Sequence, residues 1–168
     1  MAQMTGTFLR NSANSLLNSH QYAYDGSDFQ QVNRQTRTDG SYVDYGYDGI
    51  GQLTSALGKE SGGTTNRLVE QLRYSYDKAG NLRSRTNNLF EQWFNVDILD
   101  QLTTISRSNK LTVVGTTSSA ATNVTVNTSN AFRYADNTFA STNHSLADGA
   151  NTFTAIAADS LGRAIQTR

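Results

Sequence analysis

Tyr45-Gly46-Tyr47-Asp48-Gly49-Ile50-Gly51-Gln52-Leu53 returns, with the same spacing of aromatic, aspartate, glycine and leucine, as Tyr74-Ser75-Tyr76-Asp77-Lys78-Ala79-Gly80-Asn81-Leu82. A stretch that recurs marks a recurring structural unit, and that unit decides the fold. Aromatic side chains two residues apart fall on one face of an extended strand. Asp first and Gly fourth in the next tetrapeptide are the preferences of a type I turn. The carboxylate there accepts turn amides, and Gly enters the left-handed region without a Cβ clash. The motif therefore predicts a hairpin with a three-residue loop and a bulge at the glycine, in which Asp77 pairs with Asn81. The same register sets Tyr76 opposite Leu82, Tyr74 opposite Ser84, Tyr47 opposite Leu53 and Tyr45 opposite Ser55.

Looser copies extend the series. Tyr22-Ala23-Tyr24-Asp25-Gly26-Ser27-Asp28 precedes the two good copies, Phe94-Asn95-Val96-Asp97-Ile98-Leu99-Asp100-Gln101-Leu102 follows them, and Asp159-Ser160-Leu161-Gly162-Arg163 lies near the end. In the Phe94 copy Val96 is expected opposite Leu102 and Phe94 opposite Thr104, while Asp100 takes the glycine position, where Asp is tolerated. Asp25, Asp48, Asp77 and Asp97 are spaced by 23, 29 and 20 residues, which suits hairpins with unequal loops better than a strict solenoid rung. One hairpin is marginally stable in water, so the units must join edge to edge. Aromatic–aliphatic cross-strand pairs contribute roughly 0.2–1 kcal/mol each.

Composition agrees with sheets that keep one solvated face: 36% of the 168 residues are hydrophobic and the mean hydropathy is −0.54. Charge is balanced at 14 basic and 14 acidic residues, and no basic stripe exists to release counterions from nucleic acid, so nucleic-acid binding is not expected. The chain has no cysteine, which excludes disulfides and thiolate metal sites. No apolar run approaches the ~20 residues of a membrane span. Met1 to Leu17 lacks the basic start and apolar block of a signal peptide.

The Tyr-x-Tyr-Asp-x-x-Gly-Asn/Gln-Leu pattern resembles the YD repeat of the Rhs family, which takes in bacterial polymorphic toxins, insecticidal toxin-complex subunits and, more distantly, animal teneurins. The resemblance covers about residues 21–107. It implies hairpins that spiral into a β-shell enclosing or presenting a toxin domain, and a protein secreted or held at the cell surface. Family shells contain many more repeats than four or five. Their terminal segment, rich in Pro, Asp and Gly, has no counterpart in a chain without proline. No toxin domain or self-cleavage site carries over. The chain reads as a fragment of a shell or a stub of a longer gene, with further YD repeats and an encapsulated toxin domain as the implied partners.

After Arg107 the texture changes, and only Tyr134 of the eight tyrosines lies beyond residue 76. Short β-rich runs follow at Leu111–Val114, Val124–Val126, Ala131–Tyr134 and Phe153–Ile156, with turn formers at Ala135–Asn137 and Ala147–Gly149. Such spacing suggests a small sandwich. The stretch from about 110 to 168 resembles bacterial Ig-like modules of the glucodextranase accessory type, which implies a spacer or a carbohydrate binder. The expectation is thus an all-β protein: a lead-in over 1–20 (strand or disordered), antiparallel hairpin repeats over 21–107 forming an open partial shell, and a small Ig-like unit over 108–168.

Candidate sites are few. Asp44-Tyr45-Gly46-Tyr47-Asp48-Gly49 partly matches a calcium loop, but Gly46 holds the third position and Ser55 stands where a bidentate Glu is needed. His20 and His144 are 124 residues apart in polar runs, and no Gly-x-Ser-x-Gly elbow is present. Gly62-Gly63-Thr64-Thr65 lacks the Lys-Ser/Thr of a phosphate loop and reads as a hairpin connection. Lys59 to Gln71 admits a turn of helix. No catalytic, cofactor or metal residue is assigned. The candidate residues are those of the repeat: Tyr45, Tyr47, Asp48, Gly51, Leu53, Tyr74, Tyr76, Asp77, Gly80, Leu82, Phe94, Asp97, Leu102, Asp159 and Gly162. They serve a scaffold, with a carbohydrate-binding surface as the alternative.

Overall fold

Nine strands between Gly6 and Arg107 each pair antiparallel with their sequence neighbour and build one open sheet. They are β1 (Gly6–Arg10), β2 (Leu16–Tyr24), β3 (Val32–Arg37), β4 (Tyr42–Tyr47), β5 (Leu53–Lys59), β6 (Asn66–Tyr76), β7 (Leu82–Asn87), β8 (Phe90–Val96) and β9 (Leu102–Arg107). The computed structural model describes residues 3–26 and 30–167, with backbone alone for 165–167. Ser27 and Asp28 of the first loose copy therefore lie outside the described residues.

Alternation along the strands, combined with the register, sorts the side chains onto two faces. Tyr45, Ala56 and Leu72 lie in one row across β4 to β6, and Tyr74, Arg85 and Gln92 in another across β6 to β8. This face carries the motif aromatics. The opposite face is mostly polar: Arg34 pairs with Asp44, and Ser75 with Ser84. Arg34 also stacks over the Tyr42 ring, 3.9 Å from its centroid. Among the described residues only Val43 and Ala56 are buried apolar residues within the sheet, so it is a single layer whose cohesion comes from strand-to-strand contact.

The first predicted pair of each motif hairpin is present: Tyr47 faces Leu53, Tyr76 faces Leu82 and Val96 faces Leu102. The second pair differs from expectation. Tyr45 lies opposite Ala56 rather than Ser55, Tyr74 opposite Arg85 rather than Ser84, and Phe94 opposite Ile105 rather than Thr104. In each hairpin one residue past the leucine (Thr54, Arg83 or Thr103) is inserted as a bulge, which strengthens the local twist and shifts the register by one.

No helical turn forms between Lys59 and Gln71. β5 ends at Lys59, the loop turns through Gly62 and Gly63, both at positive φ, and β6 starts at Asn66. Extended backbone wins because β6 finds partners on both sides.

Beyond the sheet, β10 (Lys110–Thr116), β14 (Thr138–Ser145) and β13 (Phe132–Arg133) form a three-stranded sheet. β12 (Ser129–Asn130), β11 (Asn123–Val126), β15 (Ala155–Ala158) and β16 (Ala164–Thr167) form a four-stranded one. Val124, Val126 and Phe139 are the buried centre, with Val113, Ala131, Phe153 and Ala155 packed around them. β14 has no forerunner in the sequence reading. Its Thr-Phe-Ala-Ser-Thr-Asn-His-Ser looks solvated, yet Phe139, Ala140, Ser141 and His144 are all buried.

Candidate functional site

The motif turns of the nine-stranded sheet share one edge. At Asp48, Asp77 and Asp97 the same four bonds recur. The Asp48 amide donates to the Gln52 carbonyl (3.0 Å) and the Gly51 amide to the Asp48 carbonyl (3.1 Å). Oδ1 of Asp48 accepts the amides of Ile50 and Gln52 at 3.0 and 2.9 Å. Asp77 and Asp97 repeat the arrangement with Ala79 and Asn81, and with Leu99 and Gln101. The fourth turn residue is left-handed in each: Gly51 at φ +90°, Gly80 at +92° and Asp100 at +59°. Each aspartate is thus a staple for its own turn. The Asn81 side-chain amide and the turn amides hold the Asp77 carboxyl below the ordinary carboxylate range.

Asp159 and Gly162 close an identical turn between β15 and β16, where Arg163 returns to the aspartate and depresses its pKa. Asn11 makes the same turn between β1 and β2, with Asn14 at φ +62° in the glycine position. Sequence reasoning missed it because it sought Asp and Gly. Asn at both positions, tolerant of turn and left-handed backbone alike, was the available signal.

Two further ties link neighbouring hairpins along the edge. The aromatic before the aspartate donates its hydroxyl backwards: Tyr24 to the Met4 carbonyl, Tyr47 to Val32 and Tyr76 to Leu53, at 2.8–2.9 Å. The amide side chain before the leucine position donates forwards: Gln31 to the Gly51 carbonyl (3.0 Å), Gln52 to Gly80 (3.3 Å) and Asn81 to Asp100 Oδ1 (2.7 Å). This explains why Asn or Gln stands in the motif, a point the sequence left without a cause.

The backbone register of these joints is invariant. Gly6 faces Gln21, Arg34 faces Asp44, Ser55 faces Arg73 and Ser84 faces Trp93. The first residue of each pair lies two after Met4, Val32, Leu53 or Leu82. The second lies three before Tyr24, Tyr47, Tyr76 or Val96.

At the other edge, β6 bears a wide bulge. Leu57 faces Gln71 and Lys59 faces Asn66, so Gly58 alone opposes Arg67 to Glu70. A Cβ on Gly58 would stand 2.8 Å from the Glu70 Cβ and 3.1 Å from that of Arg67, so the close approach requires glycine. The bulge buries Arg67, which donates to Glu60 (2.5 Å), Asp136 (2.7 Å) and Thr138 (3.1 Å) and lies over the Tyr134 ring at 4.9 Å. The Tyr134 hydroxyl accepts the Leu68 amide at 2.7 Å. Asp136 lies below the ordinary carboxylate range: burial pushes it up, but bonds from Thr138 and Arg67 outweigh that. This buried cluster joins the small unit to the sheet. Its partners are about 70 residues apart in the chain, and nothing in the sequence announces it.

The remaining candidates are not brought together. His20 Nδ1 contacts the Gln35 amide, whose oxygen accepts from Tyr45. His144 is buried against Ser141 Oγ (2.8 Å) and edge-on to Phe153, and burial lowers its pKa. Among the described residues no carboxylate is bonded to this pair. Asp44 of the calcium-like stretch is engaged by Arg34. Among the described residues no three His, Cys, Asp or Glu side chains converge to hold a metal ion. A cavity of about 890 Å³ opens between the two small sheets over Val113, Val124, Phe139 and Ala155, with Asp159 at its rim. No protein-family model and no curated protein matches the chain.

Proposed function

We propose that the chain is a non-catalytic structural segment of an exported Rhs/YD-repeat protein, forming part of a β-shell or stalk that encloses or presents an effector domain carried elsewhere. The four joints of one register, with stapled turns aligned on one edge, carry this function. Such a joint is indifferent to how many copies precede or follow it, which is what building material requires. The motif residues are absorbed by the architecture: the aspartates by their turns, and the hydroxyls of Tyr47 and Tyr76 by neighbouring carbonyls. The small unit serves as an Ig-like spacer clamped to the sheet.

The alternative, a carbohydrate-binding surface, would use the half-exposed aromatics of the motif face. A glycan array and a panel of glycoside and ester substrates separate the functions. The scaffold is expected to be inert in both. Glycan binding that is lost in Tyr45→Ala or Tyr74→Ala while the fold persists, or turnover of any substrate, overturns it.

A further inference from the structure

β9 ends the nine-stranded sheet, and all six of its residues are exposed, Leu102 and Ile105 each at 55%. Leu102-Thr103-Thr104-Ile105-Ser106 has no lysine, proline or inward charge to blunt the edge. The Thr103 bulge recurs at Thr54 and Arg83 in strands that pair on both sides, and Arg107, at the far end, is turned to Asp148. It leaves the turn edge as β1, β3, β5 and β7 do. Gln101 therefore stands where Gln31, Gln52 and Asn81 stand, and Leu102 where Val32, Leu53 and Leu82 stand. The joint made four times inside the sheet is half-built here.

We propose that the outer edge of β9 is a recognition site for one kind of partner: a strand that runs back toward the turn edge and ends in aromatic-Asp. Thr104 faces the residue three before that aromatic. The Leu102 carbonyl accepts the hydroxyl of a tyrosine there, and the Gln101 amide donates to the fourth residue of the incoming turn. This partner rests on the structural function proposed above.

A second copy of the chain does not supply it. A copy turned by 180° can lay its own β1 or β9 antiparallel along this edge, but neither of those strands ends in aromatic-Asp, and β2, β4 and β6, which do, are paired on both sides. The complete joint is thus made only with a Tyr-Asp hairpin from other polypeptide.

The lack of cysteine makes disulfide trapping clean. The probe is a synthetic peptide of residues 66–87 carrying Arg73→Cys, the residue that faces Ser55 in the intact sheet. The full chain carrying Thr104→Cys is expected to capture it at least tenfold more than chains carrying Ile105→Cys on β9 or Phe8→Cys on β1. Tyr76→Phe in the peptide, or Gln101→Ala in the chain, should each lower capture about fivefold, the worth of one hydrogen bond. With the unsubstituted chain the peptide should slow amide exchange in β9.

Equal capture at 104 and 105, no protection of β9, or Thr104→Cys chains joining mainly to one another overturns the proposal. If the chain captures nothing yet stays inert toward glycans and substrates, the partner falls and the scaffold stands. Turnover or glycan binding removes the scaffold itself.

Discussion

Arg67→Met tests whether the small unit is held to the sheet by a buried charge cluster. The arginine side chain is 4% exposed, Glu60 17% and Asp136 32%. Methionine keeps the apolar stem but removes three donated bonds and the contact with Tyr134. Breaking a buried pair by deleting one partner costs about 3–5 kcal/mol. Asp136 can turn to water, so the lower end applies, about 3 kcal/mol. For a chain of this size each kcal/mol moves Tm by about 2–4 °C, giving a fall of roughly 6–12 °C. Urea unfolding followed by tryptophan emission measures the loss of free energy, and a thermal melt the shift in Tm. Much of that cost is the penalty of stranded carboxylates, so Arg67→Met combined with Glu60→Gln and Asp136→Asn should lie within about 1.5 kcal/mol of the parent. If Arg67→Met changes stability by less than about 0.5 kcal/mol, or the triple variant loses as much as the sum of its parts, the cluster is not the clamp.

Other expectations follow from the turn edge. Gly80→Ala places a Cβ at φ +92° and should cost about 1–2 kcal/mol in urea unfolding; a change under 0.3 kcal/mol would count against the left-handed turn. Tyr76→Phe strands the Leu53 carbonyl and should cost about 1 kcal/mol, whereas Tyr74→Phe should be nearly neutral, and equal costs would deny the backward tie. The depressed Asp77 and Asp136 carboxyls bind protons less readily folded than unfolded. Their stabilisation is therefore complete above the ordinary carboxylate range, about pH 4, and is lost as pH falls through their lower folded values. The urea midpoint should drop between pH 5 and 2.5, less steeply in Asp136→Asn; a flat midpoint refutes both assignments. Native-state exchange should be fastest in β1 and β9 and slowest in β4 to β6, and a uniform rate would contradict a sheet stabilised joint by joint.

What was legible in the sequence is what short-range chemistry dictates. Asp, Gly and paired aromatics specify a turn and a strand face within nine residues, so Asp48, Asp77, Asp97 and Asp159 were found at their turns. The left-handed Asp100 was legible for the same reason. Register two steps further on was not, because the bulges at Thr54, Arg83 and Thr103 answer to sheet twist rather than to any local residue preference. β14 was missed because its polar residues become buried only when β10 and β13 flank it. The Arg67 cluster is tertiary throughout, and an arginine in a polar strand gives no sign that it will be covered.

The two edges of the nine-stranded sheet divide the work. On the turn edge three contacts recur: staple, backward hydroxyl and forward amide. Each is made between immediate neighbours, so adding a hairpin changes nothing behind it. The opposite edge breaks the period. Its loops differ in length, β6 is longest at 11 residues, and the small unit is anchored on the β6 bulge through Arg67 and Tyr134. The chain leaving β9 is drawn to that same edge, where Arg107 pairs with Asp148 and Asn88 bonds Thr112. The appended unit is thereby tied to the irregular margin, and the periodic one stays open at Gln101 and Leu102. A layer in which Val43 and Ala56 are the buried apolar side chains among the described residues gains little from its own faces. Lateral neighbours are its main source of cohesion, and the outer edge of β9 has room for one more.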